Sequence, residues 1–569
     1  MGLSRIATVA VGVASLGLLG AAVPIARSSD ASSTARFAWF EYRGSDGAAA
    51  PAGFYRNPVL AGFYPDPSIV RVGGDFYLVN STFAWFPGIP IFHSRDLIHW
   101  RQIGNAIDRP DQLDFTGLGM SRGIFAPDIS YHDGRFYIVT TAVGSGGNFV
   151  ITATNPAGPW SDPTFLPSVE GIDPSLFFDA DGSAWIVNNR APPGKSLYDG
   201  HRAIWLQRFD TATLRMTGEP RLLVDGGVDL SKQPVWIEGP HIFRTRGHYY
   251  LTAAEGGTSV NHSQVVFRAD RVEGPYVPAP ASINPILTQR DLDPARAAPV
   301  TSAGHADPVE LADGSWWAVF LATRPYAGNL YNTGRETFLL PIRWQDGWPS
   351  ILAKGKAIPL TVRRPDLPMM PKATLPMTGN FDRRDDFDGT TLGMEWMTMR
   401  TPTTSQWRVA DGVLAMTPST AGIGDHAQPS FVARRQQHSD AVATTALTFM
   451  PADGAEAGIA AVQDDDHFLG IGLTRSGGQL MVRGFRRAST DAPAIGVTIV
   501  SRPVTLAAKT MLRLRLAAHG GRYDLDYAIG DGPWVVLAHG IDGTILSTEV
   551  AGGFTGTMIG PYARAARRN

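Results

Sequence analysis

The chain has 569 residues, 44% hydrophobic and 18% charged, enough apolar material to bury more than one core and too much for a disordered protein. Fifty basic against 52 acidic residues give no bulk electrostatic pull toward nucleic acid or an anionic membrane, so the expected partner is neutral. Cysteine is absent, which excludes disulfides, thiolate metal sites and a cysteine nucleophile.

In chain order, an uncharged run over residues 6–26 lies between Arg5 and Arg27, with small residues at Gly20-Ala21-Ala22. This predicts a signal peptide over residues 1–26, or an uncleaved anchor of the same length, and hence a periplasmic or secreted protein. No other membrane partner is expected. Residues 27–51, rich in Ser, Ala and Gly, read as a linker.

From there a short module recurs five times over residues 52–364. Each copy runs an acidic, proline-containing motif through a turn into an aromatic-rich strand. The motifs are Asp66-Pro67-Ser68, Pro127-Asp128-Ile129, Asp173-Pro174-Ser175, Glu238-Gly239-Pro240 and Asp307-Pro308-Val309, and the strands centre on Tyr77, Tyr137, Trp185, Tyr250 and Trp317. Spacings of 60, 48, 65 and 67 residues between those aromatics suit a four-stranded sheet with variable loops. Five such sheets around one axis make a five-bladed β-propeller. Turn clusters such as Gly73-Gly74 and Asp133-Gly134 supply the reversals.

Residues 365–382 are proline-rich without alternation and read as a second linker. Residues 383–569 then carry short alternating strands such as Leu512-Arg513-Leu514-Arg515-Leu516, which predict a β-sandwich of the jelly-roll sort. The whole chain is therefore expected to be all-β.

In a propeller the first strand of each blade lines the axis, so the five motifs bring Asp66, Asp128, Asp173, Glu238 and Asp307 toward one mouth. Crowded carboxylates raise one another's pKa, leaving some protonated near neutrality. Inverting glycoside hydrolysis needs one protonated carboxylic acid, one ionised carboxylate to activate water, and room between them. A third acid can hold the proton donor's pKa up.

The motifs Asn57-Pro58-Val59-Leu60-Ala61-Gly62-Phe63-Tyr64-Pro65-Asp66-Pro67, Gly171-Ile172-Asp173-Pro174-Ser175, Ile237-Glu238-Gly239-Pro240-His241 and Gly334-Arg335-Glu336-Thr337 resemble glycoside hydrolase family 43, in its β-xylosidase and α-L-arabinofuranosidase branch with a C-terminal concanavalin-like domain. The resemblance runs in order over about residues 55–370. It implies that Asp66 is the general base, Glu238 the general acid and Asp173 the residue that modulates and orients the acid. It implies that Arg335 binds sugar hydroxyls, that Asp128 lines the pocket, and that His305 stands near a central water or calcium. No cofactor is expected beyond a possible structural calcium, for which no compact oxygen-rich loop is present. Phe83, Trp85 and Phe125 come from loops at the same mouth and are expected to stack on the sugar. Two departures stand out: Phe125 replaces a usual tryptophan, and Ala306-Asp307 replaces a usual Ala-Ser.

The activity so implied is exo-release of β-1,4-linked xylose from xylo-oligosaccharides, with arabino-oligosaccharides cleaved by an α-L-arabinofuranosidase as the alternative. A non-catalytic carbohydrate-binding propeller is the rival from another class. The C-terminal domain is expected to pack on the propeller and close one side of the pocket.

Overall fold

The computed structural model describes residues 34–403, 405–507 and 509–567. The signal or anchor expected over residues 1–26 lies outside the described residues. Among them the fold is almost wholly β.

Five antiparallel sheets follow one another along the chain, each opened by one of the five motifs. The innermost strands are Ser68–Val72, Asp128–His132, Ile172–Phe178, Glu238–Thr245 and Thr301–Glu310. Each pairs with a strand that carries a central apolar run, respectively Asp75–Val79, Arg135–Val143, Ala184–Arg190, His248–Glu255 and Trp316–Thr323. Burial on both faces explains those near-continuous hydrophobic runs, because neighbouring blades stack on them. Strand Phe54–Arg56 pairs with Thr361–Arg363, tying the two ends of the propeller together. A buried cluster including Tyr55, Leu78, Phe92, Trp317 and Leu339 seals the fifth blade against the first.

The second domain is a sandwich of two eight-stranded sheets. Two of its strands come from outside residues 383–569. Residues 35–45, expected to be linker, form the strand Ala35–Ser45, which sits inside one sheet between Val413–Met416 and Asp440–Thr448. The Ser and Ala content suggested a linker, but Phe37, Phe40 and Tyr42 are fully buried, Phe40 and Tyr42 in alternation and Phe37 across a bulge from them, and this apolar face outweighs composition. The chain thus starts its described part in the sandwich, makes the propeller, and returns. The strand's end is also anchored: Asp46 pairs with the half-buried Arg324 at 2.7 Å, and Arg324 pairs with Glu336 at 2.6 Å.

The other borrowed strand is Trp85–Phe86, from a loop of the first blade, which adds to the edge of the second sheet beside Met397–Met399. Around it a continuous apolar cluster joins Phe63, Phe83 and Met120 of the propeller to Phe431, Phe485 and Met558 of the sandwich. Buried Arg400 ties the same junction, pairing with Asp465 at 2.7 Å and donating to the Leu118 carbonyl at 2.6 Å.

Candidate active site

The five motifs do not form one ring of acids. Ser68, Asp128, Ser175, His241 and Asp307 occupy equivalent positions, opposite Val79, Val139, Val187, Thr252 and Val319. Asp66 and Asp173 stand two residues earlier, and Glu238 three. The inner strands carry register shifts between Ile172 and Ser175, Glu238 and His241, and Gly304 and Asp307. Bulges of this kind re-aim side chains. Asp66, Asp173, Gly239 and His305 all have positive φ, between 50° and 55°. The hub therefore has two tiers, an upper one of bulged residues and a lower one of regular ladder residues.

The upper tier opens into a cavity of about 240 Å³, whose lining includes Asp66, Phe83, Phe125, Asp173, Glu238, His305 and Arg335. Asp66 accepts from the Arg335 guanidinium at 2.9 Å and from the Ser81 hydroxyl at 2.5 Å. Burial pushes its carboxyl up, but Arg335, His305 and Ser81 together outweigh burial and hold it below the ordinary aspartate value. Glu238 behaves oppositely. Burial first, then the charges of Asp173 and Asp66, raise it well above the usual glutamate range, with Arg335 opposing. Asp173 accepts from the Gly239 N–H at 3.3 Å, and the His305 Nε2 lies 3.7 Å from the same oxygen. A Cβ on Gly239 would come within 2.6 Å of His305 Nε2, so glycine there lets the imidazole approach Asp173.

Phe83 and Phe125 line the cavity as expected, in edge contact with centroids 5.2 Å apart. Trp85 does not. It is fully buried in the domain junction, its ring 6.3 Å from Phe431, because its backbone is committed to the sandwich edge. Asp128 also sits lower than expected, in the second tier. There Ser68 donates to Asp307 at 2.9 Å, Ser130 and the Leu176 N–H donate to Asp128 at 2.9 and 3.0 Å, and the Ile69 N–H donates to Asp307 at 2.8 Å. His241 Nδ1 stands 3.4 Å from Asp128 and 3.5 Å from Asp307. Burial lowers its pKa, yet the two carboxylates more than reverse this and push it up to about 9.

Asp128, His241 and Asp307 are the side chains grouped closely enough to hold a metal ion among the described residues. They fit calcium poorly: three donors, one of them nitrogen, fall short of six to eight oxygens, and a protonated imidazole already supplies the positive charge. His305 has an unpartnered, buried Nδ1 and offers no oxygen.

Several lining residues were not singled out by the motifs. Phe554 reaches the cavity from the sandwich and stacks on Phe83 with centroids 5.6 Å apart. Its N–H is held by Ser121 Oγ at 2.9 Å. Arg335 lies over both rings, 5.8 Å from Phe83 and 5.5 Å from Phe554. Just before Arg335, Gly334 meets Gly556 of the sandwich so closely that a Cβ would fall 2.9 Å from its Cα. A Gly-Gly contact in sequence regions 222 residues apart carries no local signal. Val235, Trp236 and Thr258 complete the wall. The arrangement places a carboxyl pushed toward its protonated form and a carboxylate pushed toward its ionised form in one small, aromatic-walled chamber.

The sequence profile described as glycosyl hydrolases family 43 matches residues 55–349. The chain belongs to that family. Residues 384–569 match the profile described as a β-xylosidase C-terminal concanavalin A-like domain. Among curated family 43 relatives, a xylosidase/arabinosidase of Butyrivibrio fibrisolvens is 37% identical over 518 residues, covering 89% of this chain and 95% of the relative. A non-reducing-end α-L-arabinofuranosidase of Bacteroides ovatus is 36% identical, covering 90% and 91%. Among solved structures, a family 43 protein retrieved from capybara gut metagenome superposes with a TM-score of 0.86 at 38% identity, covering 94% of this chain and 100% of that one. The family 43 chain described here is accordingly a glycosidase that releases pentose.

Proposed function

We propose that the protein removes a single terminal xylose, β-1,4-linked, from short xylo-oligosaccharides by direct displacement with inversion. The observation that carries this reading is the opposite displacement of two carboxyl groups in one chamber, Asp66 down and Glu238 up. Groups whose environments push them apart are suited to base and acid roles. Asp66, held ionised by Arg335, takes a proton from water. Glu238 gives its proton to the leaving oxygen. Burial, reinforced by repulsion from Asp173, favours the protonated form of Glu238, and Arg335 is also poised to bind sugar hydroxyls beside its carboxylate partner. The water attacks from the base side while the leaving sugar departs past the acid, so the product anomer is inverted.

Phe83, Phe125 and Phe554 give the sugar apolar faces to lie against. Phe554 also closes the chamber with the sandwich, which favours a chain end over a chain interior. The same chamber suits α-L-arabinofuranosides, a second reading favoured by the Bacteroides ovatus relative. We further propose export, on the strength of the uncharged run after Arg5.

Glu238→Ala tests the acid assignment. Cleavage of xylobiose should fall about 10²- to 10⁴-fold, whereas a dinitrophenyl xyloside, whose leaving group needs no proton, should be largely spared. Equal losses on both would remove Glu238 from that role. Proton NMR of the first-formed sugar reads the anomer, and a panel of nitrophenyl pentosides separates xylose from arabinofuranose preference.

A further inference from the structure

The sandwich grips the propeller just ahead of Arg335. Asn332, in a loop of the fifth blade, donates from Nδ2 to the Tyr523 hydroxyl at 3.0 Å. That hydroxyl donates to Gln436 Oε1 at 2.8 Å, the Gln436 N–H donates to the Thr557 carbonyl at 2.9 Å, and the Thr557 N–H donates back to the Asn332 carbonyl at 2.9 Å. These residues close a buried hydrogen-bonded ring with one member in the propeller and three in the sandwich. One residue earlier, the Tyr331 N–H donates to Ser547 Oγ at 3.0 Å. Two residues later, Gly334 lies against Gly556 in a left-handed conformation, φ 79°.

Arg335 is thus held from both sides. Downstream, its carbonyl accepts from the Tyr64 N–H at 3.1 Å, and Thr337 exchanges backbone hydrogen bonds with Leu60 at 3.1 and 3.2 Å. Upstream, its path is set by the sandwich. The side chain has little else to place it: among the described residues its guanidinium donates to Asp66 alone, and its buried Nε has no partner. Where the guanidinium meets Asp66 is therefore decided by where its backbone starts. A Cβ on Gly556 would fall 2.8 Å from the Thr333 carbonyl oxygen and 2.9 Å from Gly334 Cα. Both are backbone atoms, so a larger residue there must move the segment that leads into Arg335. Gly556 itself lies outside the left-handed region, so alanine suits its own backbone and only the contact is at stake.

We propose that the sandwich positions the base: Gly556 and the ring through Asn332 and Tyr523 are positioning residues that set the reach of Arg335 to Asp66. This rests on Asp66 being the general base, and it gives the sandwich a part beyond the wall supplied by Phe554. Besides Arg335, the groups facing Asp66 are Ser81 in the first blade, His262 in the fourth and His305 in the fifth, with Glu238 across the chamber. All of these lie outside residues 331–335 and remain when Gly556 is changed.

Gly556→Ala should lower kcat/KM about tenfold on xylobiose and on 2,4-dinitrophenyl β-D-xyloside alike, because both need the base. With Arg335 drawn away Asp66 loses a charge that lowers its pKa, so the acid limb of both profiles should move to higher pH by about half a unit. Tyr523→Phe opens the ring while keeping its shape and should move the limb the same way by less; it carries the test if Gly556→Ala does not melt as a folded protein. In an Arg335→Ala background, Gly556→Ala should cost less than about twofold on the dinitrophenyl substrate, since the residue it acts through is gone. An unmoved acid limb overturns the inference, and so does a full tenfold loss retained without Arg335, which would assign the effect to Phe554 or to the fold at large. Asp66→Ala is assayed alongside: if it is inactive on both substrates while the Gly556 and Tyr523 variants fail these expectations, only this inference falls. If it keeps activity on the dinitrophenyl substrate, the base assignment falls and takes the inference with it.

Discussion

The two tiers of the hub are built from the same residue types and differ in how completely those residues are partnered. In the lower tier Asp128 and Asp307 receive hydrogen bonds from Ser68, Ser130 and two backbone N–H groups, with a protonated His241 between them. In the upper tier Asp173 receives one long backbone hydrogen bond, and Glu238 faces two other carboxylates across a cavity. Asp66 in the same tier is partnered by Arg335 and Ser81, so the contrast with the lower tier lies in Asp173 and Glu238. What separates the tiers is position along the inner strands: the upper-tier carboxyls precede the shared ladder position by two or three residues, and in the third and fourth blades one extra residue interrupts the register between them and re-aims the side chain toward the mouth. Backbone strain at Asp66, Asp173 and His305 is one cost of that exposure.

Changing one titratable group in each tier should produce opposite phenotypes. Asp66→Ala is expected to lower kcat about 10³- to 10⁴-fold on every substrate, dinitrophenyl xyloside included, because water loses its base whatever the leaving group. A variant that kept activity on the activated substrate would contradict the base assignment. His241→Gln should act on stability instead. A histidine whose folded pKa is raised from 6.5 to about 9 contributes stability that is fully present below about pH 6.5 and lost as pH rises through about 9. The shift corresponds to on the order of 3 kcal/mol. Melting curves of wild type and variant should therefore lie furthest apart near pH 6 and converge by about pH 10. A gap that stays constant with pH would mean that the imidazole is not the charge holding the lower tier together.

Sequence made the propeller legible because its repeat is local: each motif, turn and aromatic strand falls within a few residues. Asp66, Asp173 and Glu238 were legible with it, since motif position alone brings them to the mouth. The tier distinction was not, although it could have been seen by aligning Ser68, Asp128, Ser175, His241 and Asp307, which leaves Asp66 and Asp173 two residues out of step and Glu238 three. Trp85 was misread because an aromatic in a mouth loop looks the same whether it faces a sugar or adds to a distant sheet edge. Phe554, Gly556 and the strand Ala35–Ser45 were hidden for a related reason. Their roles depend on pairings across hundreds of residues, such as Tyr42 beside Ala443, and no local pattern encodes those.

Asp173→Asn gives the smallest expected effect and the finest test of the contrast between tiers. Asparagine keeps the shape and can still accept from the Gly239 N–H, so the lower tier and the bulge should be undisturbed. What disappears is the negative charge that helps to raise Glu238. Burial is the larger cause of that rise and remains, so Glu238 should come down without returning to an ordinary glutamate. The alkaline limb of the xylobiose profile should then move to lower pH, costing about tenfold at neutral pH and much less in acid, where Glu238 is protonated in both proteins. The dinitrophenyl substrate should show no such limb shift. A loss that is uniform across pH would instead point to misplacement of the acid, and an unchanged profile would assign the raised pKa of Glu238 to burial alone.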